Sequence, residues 1–267
     1  MFKLYNEISA LGKFSRGMCT EYIDFVDSMC WFEYDFGVGY VCPEKTDYWF
    51  GHCLDLYHVR EDVTGEKLAV MWGQYLAPHA AKAVKKVVRW ESERFINYPN
   101  IDKKYGLQCE LILKHVADSA KIERPQFNVR PIIAADFRQM VDIYVDDAGE
   151  AQREFIQWST KSRLDAIAAK QANFFAIWNV DRDEIAAIAG IYWQGGIYRY
   201  ASVTTRKAYR GRGYASALIA HIRDYALDKG ADEIYIIAEN GSQAAKIYGD
   251  AGFEIASHLY SLVAARD

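Results

Sequence analysis

Thr205-Arg206-Lys207-Ala208-Tyr209-Arg210-Gly211-Arg212-Gly213-Tyr214-Ala215-Ser216 joins a strand rich in β-branched and aromatic residues to a long amphipathic helix. Such a junction is suited to an anion. Gly211 and Gly213 lack Cβ atoms and can take positive φ, so a ligand can lie directly on consecutive main-chain N–H groups. The first amides of the following helix have no intrahelical acceptor, and its positive dipole end faces the same space. Arg210 and Arg212 add positive charge. A few charge-assisted hydrogen bonds, each worth roughly 1.5 to 3 kcal/mol, are enough for micromolar binding of a pyrophosphate.

The flanks narrow the choice of nucleotide. Ile197 to Thr205 alternates as a strand, and Tyr214 to Lys229 places Ala215, Leu218, Ile219, Ile222 and Ala226 on one helical stripe. Gly230 is a natural helix stop. Glu233 to Ala238 reads as a buried parallel strand, Ser242 to Asp250 as a second helix, and Ile255 to Val263 as a closing strand. Upstream, Phe127 to Ile132 reads as a strand, and Asp136 to Tyr144 and Glu150 to Ala172 as helices. Phe174 to Asn179 and Glu184 to Trp193 read as a hairpin through Asp181-Arg182-Asp183.

Two other glycine motifs compete for the loop. A dinucleotide-binding turn requires G-x-G-x-x-G directly after a strand and an acidic residue near the end of the next strand. Gly211, Gly213 and Glu239 imitate this, yet Ser216 replaces the third glycine and residues 206–210 intervene where a tight turn is needed. A phosphate-binding P-loop requires G-K-S/T, which is absent here. Glycines that merely turn the chain are the plain alternative.

Arg210, Gly213 and Ala215 stand where the GNAT acetyltransferase superfamily has its Gln/Arg-x-x-Gly-x-Gly/Ala loop. Asn240 followed by Tyr248-Gly249-Asp250-Ala251-Gly252-Phe253 resembles the same family's Asn loop and Tyr-x-x-x-Gly-Phe. The order of elements agrees as well, so residues 126–267 are similar to an acetyl-coenzyme A binding GNAT catalytic domain. This resemblance implies an α/β fold, a mixed sheet flanked by helices, and direct acetyl transfer from acetyl-coenzyme A to an amine in a ternary complex. The alternative is a non-catalytic coenzyme A or acyl-coenzyme A binding or sensing protein. The implied cofactor contacts are the backbones of Val203 and Thr205, the segment Arg210, Gly211, Arg212, Gly213, Tyr214, Ala215 and Ser216, and Asn240.

Val203 N–H is implied to donate to the thioester carbonyl and stabilise the oxyanion. Tyr248 resembles the family's tyrosine beside the sulfur. Tyrosine titrates near 10 and a thiol near 8.5, so full proton transfer is uphill by about 2 kcal/mol and hydrogen-bond donation is the expected role. An amine of pKa about 10.4 costs roughly 4 to 5 kcal/mol to deprotonate at pH 7 without a base. Many family members carry a carboxylate on the strand before the loop, but that place resembles Ala201 or Ser202 here. Glu239, acting through water, is the remaining catalytic candidate. Asp146, Asp147 and Glu150 lie in a loop that often shapes the acceptor site in this family, where they are expected to attract a cationic amine, or else to be solvated or to cap the next helix. The acceptor stays open between small amine, amino acid, antibiotic, peptide terminus and protein lysine, since loops carry no substrate code.

Composition sets the outer limits. The 267 residues are 51% hydrophobic and 25% charged, enough for two globular domains. A net charge of −4 gives no electrostatic reason to expect nucleic acid. No run of 18 apolar residues points to a membrane, no signal peptide is read at the start, and a cytoplasmic location is expected. Cys19, Cys30, Cys42, Cys53 and Cys109 are odd in number and lack C-x-x-C spacing, so reduced structural thiols and no metal are expected. The six histidines show no metal spacing either.

The cysteines and a dense aromatic run, Trp31 to Phe50, set the first half apart. Ala117 to Pro125 reads as a linker, which divides the chain into an aromatic-rich domain at 1–120 and the catalytic domain at 126–267. In the first half Thr20 to Val26, Met29 to Tyr34, Val38 to Cys42, Val84 to Trp90 and Gln108 to His115 read as strands, and Glu66 to Leu76 as a helix. Asp47 to Leu54 is similar to a stretch of the degenerate amino-terminal half of two-domain GNAT proteins, with His52 where an Asn is common. This half lacks the cofactor loop, and its expected role is to cover the catalytic sheet and wall the acceptor groove.

Overall fold

The computed structural model describes residues 3–24, 29–116, 127–179, 181 and 183–265. The chain forms two compact units: Met1–Leu113 with Ile237–Ser242 and Ile255–Asp267, and Lys114–Ile236 with Gln243–Glu254. The linker expected at Ala117 to Pro125 lies outside the described residues. In chain order the main elements are α1 (Lys3–Ala10), α2 (Arg16–Cys19), β1 (Cys30–Tyr34), β2 (Gly37–Val41), β3 (His52–Leu56), α3 (Gly65–Tyr75), β4 (Lys85–Ser92) and β5 (Leu107–His115). They continue with β6 (Val129–Pro131), α4 (Phe137–Ala148), α5 (Arg153–Ala168), β7 (Ala172–Asn179), β8 (Glu184–Gln194), β9 (Ile197–Thr205), α6 (Tyr214–Asp228), β10 (Glu233–Glu239), α7 (Gln243–Asp250) and β11 (Phe253–Ala265).

In the first unit β1, β2 and β3 form an antiparallel meander, and β3 then runs parallel to β4. The free side of β4 is taken by β11, antiparallel, with His258↔Ser92 through Ala265↔Lys85 in register. The second unit ends at Glu254, so the closing strand from Ile255 on stands with the first unit, outside the domain expected to run from 126 to 267. The physical reason is burial: Tyr260 and Leu262 are almost fully enclosed in one cluster with Val88 and Trp90, and Leu259 is buried as well. Tyr260 stacks on Trp90 with ring centroids 5.6 Å apart. The aromatic surplus of the first half is in good part this core, with Trp72 Nε1 donating to His52 O at 3.0 Å and Trp90 Nε1 to the Tyr98 hydroxyl at 2.8 Å.

The strand expected from Thr20 to Val26 is instead a helical turn at Thr20–Tyr22 that continues α2; residues 25 and 26 lie outside the described residues. Ser15 caps this helix by accepting from Met18 N at 3.0 Å. Met18, Cys19, Tyr22 and Ile23 are all buried, at offsets 0, 1, 4 and 5, a helical spacing that outweighs the β-branched content. Neither α1 nor β3 was foreseen as an element.

The second unit follows the expected order closely. Its sheet runs β10, β9, β8, β7, β6, with β9 and β10 parallel and the other pairs antiparallel. Helices flank this mixed sheet, α4 and α6 packing on β8 and β9. Ile185 to Tyr192 of β8 is buried without interruption, as a central strand covered on both faces should be. The buried face of α6 is rotated slightly from the expected stripe: Ala217 and Arg223 are buried with Leu218, Ile219, Ile222 and Ala226, while Ala215 is half-exposed.

Candidate functional site

The site is built on β9 and the loop that follows it. β9 pairs with β10 only at Ile197, Tyr198 and Arg199. Among the described residues, Ala201 to Thr205 have no partner in β10, and the last four residues of β9 are only half-buried. On the other side β8 keeps its pairing, but the register shifts between Ile188↔Thr204 and Gly190↔Ala201. One extra residue is thus accommodated in β9, and Ser202 takes φ of 54°. Such a bulge bends the strand and leaves main-chain groups outside the ladder. Val203, the residue implied to hold the thioester carbonyl, lies directly after this bend.

The loop is anchored at its base and open at its tip. Arg206 N donates to Ala186 O at 3.0 Å and its Nε to Ile185 O at 2.7 Å. The buried Tyr209 donates to Glu184 Oε1 at 2.6 Å and accepts from Asn179 Nδ2 at 2.5 Å. Arg210 reaches back, its Nε to Thr205 O at 3.2 Å and its Nη2 to Asp147 Oδ1 at 2.6 Å. Gly211 and Gly213 have φ of 77° and 81°, and the space where a side chain would begin is empty within 4 Å at both. Gly213 is the N-cap of α6 and supplies no side-chain cap. The first amides of the helix, at Tyr214 and Ala215, therefore receive no side-chain cap from Gly213, and exposed Arg212 stands beside them. Arg212 rests 5.1 Å from the Tyr209 ring centroid.

The carboxylates expected near the acceptor are committed elsewhere. Asp146 Oδ2 accepts from Lys207 N at 3.1 Å and Asp147 pairs with Arg210, so both fasten the end of α4 to the loop. Glu150 is bound by Arg153 Nε at 2.5 Å, which holds its carboxyl below the usual range. None of the three caps the next helix, since the N-cap of α5 is Gln152, without a side-chain cap.

Tyr248 lies on α7 and is 5% exposed, and burial pushes its phenol up to about 12. Glu239 is exposed at the end of β10, its carbonyl accepting from Ser242 N at 3.1 Å. Asn240 is exposed too. Its N–H donates to Cys109 O at 3.0 Å and its Nδ2 lies 4.0 Å from Cys109 Sγ, so it ties its turn to β5. The loop residues, Val203 and Thr205 all lie in the second unit, whereas Glu239 and Asn240 belong to the 237–242 segment of the first.

Two residues near the bend escaped the sequence reading. Tyr144 of α4 is 8% exposed; burial raises its pKa, and Arg163 and Ser202 partly offset that rise. Arg163 of α5 lies over the Tyr144 ring, 4.7 Å from its centroid. In the sequence both look like ordinary amphipathic-helix positions. Only the packing of α4 on β9 brings Tyr144 to Ser202, and only the packing of α5 on α4 brings Arg163 over Tyr144.

Residues 137–253 match the model of the acetyltransferase (GNAT) family. No curated protein matches the sequence. Among solved structures, a conserved protein of unknown function from Staphylococcus epidermidis superposes with a TM-score of 0.68 at 8% identity, covering 92% of this chain and 98% of that one. A GCN5-related N-acetyltransferase from Kribbella flavida gives 0.59 at 15% identity, covering 99% of this chain and 96% of that one. A tandem GNAT protein from the clavulanic acid biosynthesis pathway gives 0.59 at 9%, covering 94% and 88%. At these identities the likeness speaks for the fold, and the fold is that of a two-domain protein.

Proposed function

We propose that this chain, whose residues 137–253 match the model of the acetyltransferase (GNAT) family, is an acetyl-coenzyme A dependent N-acetyltransferase that works by direct transfer in a ternary complex. The observation that carries this reading is the stretch of β9 from Ala201 to Thr205, which has no partner in β10 among the described residues and leads into a helix start without a side-chain cap, preceded by two positive-φ glycines. A pantetheine arm can add to such an edge as another strand does, and a pyrophosphate can accept from the Gly211 to Ser216 amides.

The amine nitrogen attacks the thioester carbon, the C–N bond forms, and the carbonyl oxygen gathers negative charge. Val203 N–H, next to the bulge at Ser202, donates to that oxygen. Collapse breaks the C–S bond, the amine loses its proton to solvent or to Glu239 through water, and the thiolate departs. A Tyr248 phenol near 12 holds its proton more tightly than an ordinary tyrosine. Complete transfer from pKa 12 to a thiolate of pKa 8.5 is uphill by about 5 kcal/mol, so Tyr248 donates a hydrogen bond to the sulfur and the thiolate is protonated from solvent. No nucleophilic serine or cysteine takes part.

The test is thermal unfolding with acetyl-coenzyme A, coenzyme A and NAD, followed by thiol release with an amine panel. A ligand of the folded state at 100 times its Kd stabilises by about 2.7 kcal/mol. Stabilisation by both coenzyme A species and not by NAD, together with amine-dependent thiol release, is expected. Stabilisation without release from any amine would favour a coenzyme A sensor, in keeping with the absence of a carboxylate at Ser202.

A further inference from the structure

We propose that the acceptor amine carries a carboxylate, and that Arg163 and Tyr144 hold that carboxylate beside the bend in β9. The inference rests on the acetyl-transfer reading for what happens to the amine, and on three observations of its own for the anion. First, Arg163 is half-buried and has no carboxylate partner among the described residues; its contacts are the Tyr144 ring and Ser159 Oγ, which accepts from Nη1 at 3.1 Å. Arg210, Arg153, Arg206 and Arg223 in the same unit are each paired with an Asp or Glu. Second, the Tyr144 hydroxyl is buried and no described group satisfies it with a full hydrogen bond, although Ser202 and Arg163 both bear on it. Third, Thr160, one turn before Arg163 on α5, is fully buried with its hydroxyl likewise unsatisfied among the described residues.

A guanidinium and buried hydroxyl donors with an unfilled acceptor describe what a carboxylate supplies. It has two oxygens with about four lone-pair sites, and it forms charge-assisted bonds with the planar guanidinium fork. A neutral amine offers Arg163 nothing, and a cationic amine without an anion is repelled by it. Ser202 immediately precedes Val203, so an amino acid whose carboxylate rests on Arg163 and Tyr144 has its amine directed toward the N–H that receives the thioester carbonyl. Asp146, Asp147 and Glu150, the acids that would draw a polyamine, are bound by Lys207 N, Arg210 and Arg153. An amino acid or a related amino carboxylate is therefore the substrate class assigned.

The experiment uses the full chain, acetyl-coenzyme A and matched acceptor trios: free L-amino acids, their amides, and the corresponding amines without the carboxyl group. The carboxylate member of the best trio should exceed its partners in kcat/KM by at least about 100-fold, as sites built to bond a polar group reject analogues that lack it. Arg163→Gln should raise KM for that acceptor by about 100-fold with kcat little changed, and should abolish the preference; Arg163→Lys should restore part of it. Tyr144→Phe should raise KM by a smaller factor. Equal use of amide and carboxylate by the native chain, or a preference that survives Arg163→Gln, overturns the proposal. A merely structural Arg163 would alter all three members of a trio alike. Should acetyl-coenzyme A give neither stabilisation nor thiol release, the transfer reading fails separately. Calorimetric titration of the same trios then decides this one: Arg163-dependent carboxylate binding supports it and no such binding overturns it.

Discussion

The two units repeat one plan with opposite outcomes. In each, an antiparallel meander of three strands ends in a strand, loop and helix, and returns by a strand parallel to the last of the three: β3, α3 and β4 in the first, β9, α6 and β10 in the second. β3 is paired to β4 up to its final residue, Leu56, and every one of its residues is buried. β9 is paired to β10 over three residues only, and its later half is partly open. The closed pair is held by Asp55 and Arg89, which face each other in register and join through two bonds of 2.9 and 2.7 Å. Tyr22 donates to the same carboxylate at 2.6 Å, and Glu21 holds the third guanidinium nitrogen at 2.6 Å. At the helix start Thr64 caps α3 by accepting from Lys67 N, with Glu66 in the first turn, whereas α6 begins at a bare glycine. One plan thus closes a strand pair and caps the helix start in the first unit, and leaves the later half of β9 without a partner in β10 and the start of α6 without a side-chain cap in the second.

Removing the buried carboxylate tests the closed side most strongly. Asp55→Ala leaves Arg89 with only Glu21 for charge in a site 2% exposed, and breaking a buried pair costs about 3 to 5 kcal/mol. A denaturant midpoint equal to that of the native chain would mean the pair does not hold β3 to β4. On the open side, Gly213→Val forces a β-branched residue to φ of 81°, which costs about 1 to 2 kcal/mol. The loop should shift and acetyl-coenzyme A affinity fall at least about tenfold in thermal-shift titration. Undiminished affinity would separate the loop from the cofactor.

Tyr248→Phe refines the chemistry of the open side. The kcat should fall by about tenfold with the Kd for acetyl-coenzyme A nearly unchanged, as expected for a donor used in the transition state. The same variant carries a pH signature. The phenol is pushed from 10 up to about 12 by burial, so its contribution to stability is complete below pH 10 and is lost as pH rises through 12. Melting temperature should decline less steeply between pH 10 and 12 in the variant; parallel curves would place the phenol in contact with water. The smallest effect belongs to Arg210→Ala, whose pairing with Asp147 is about half-exposed at both ends. Global stability should change by less than about 1 kcal/mol, read by denaturant unfolding. A larger loss would show that this pair clamps the loop as firmly as Asp55 clamps β3.

Legibility followed the locality of each signal. β7 to β10 and α6 were read almost to the residue because periodicity, turn glycines and a parallel apolar run all agree. The helical turn at Thr20–Tyr22 was misread as a strand because a cap, Ser15, and a four-residue spacing outweighed composition. The place of β11 was hidden for a different reason: a strand's own residues say that it pairs, never with which partner. In the site, the loop glycines were legible because positive φ is a property of single residues. The expected role of Asp146 and Asp147 was not, since their partners, Lys207 N and Arg210, lie some 60 positions away.

By itself the sequence determined that a strand would end in a glycine-bearing, basic loop and feed an amphipathic helix, since backbone freedom, periodicity and charge are written residue by residue. Tertiary structure alone decided that β9 would bend at Ser202 and pair with β10 over three residues only, that Arg163 would lie over Tyr144, and that the last strand would close the first unit's sheet. The reason is that a bulge, an unpaired edge and a shared strand are relations among segments distant in the chain. Their energies arise from the burial of one against another, which no local pattern encodes.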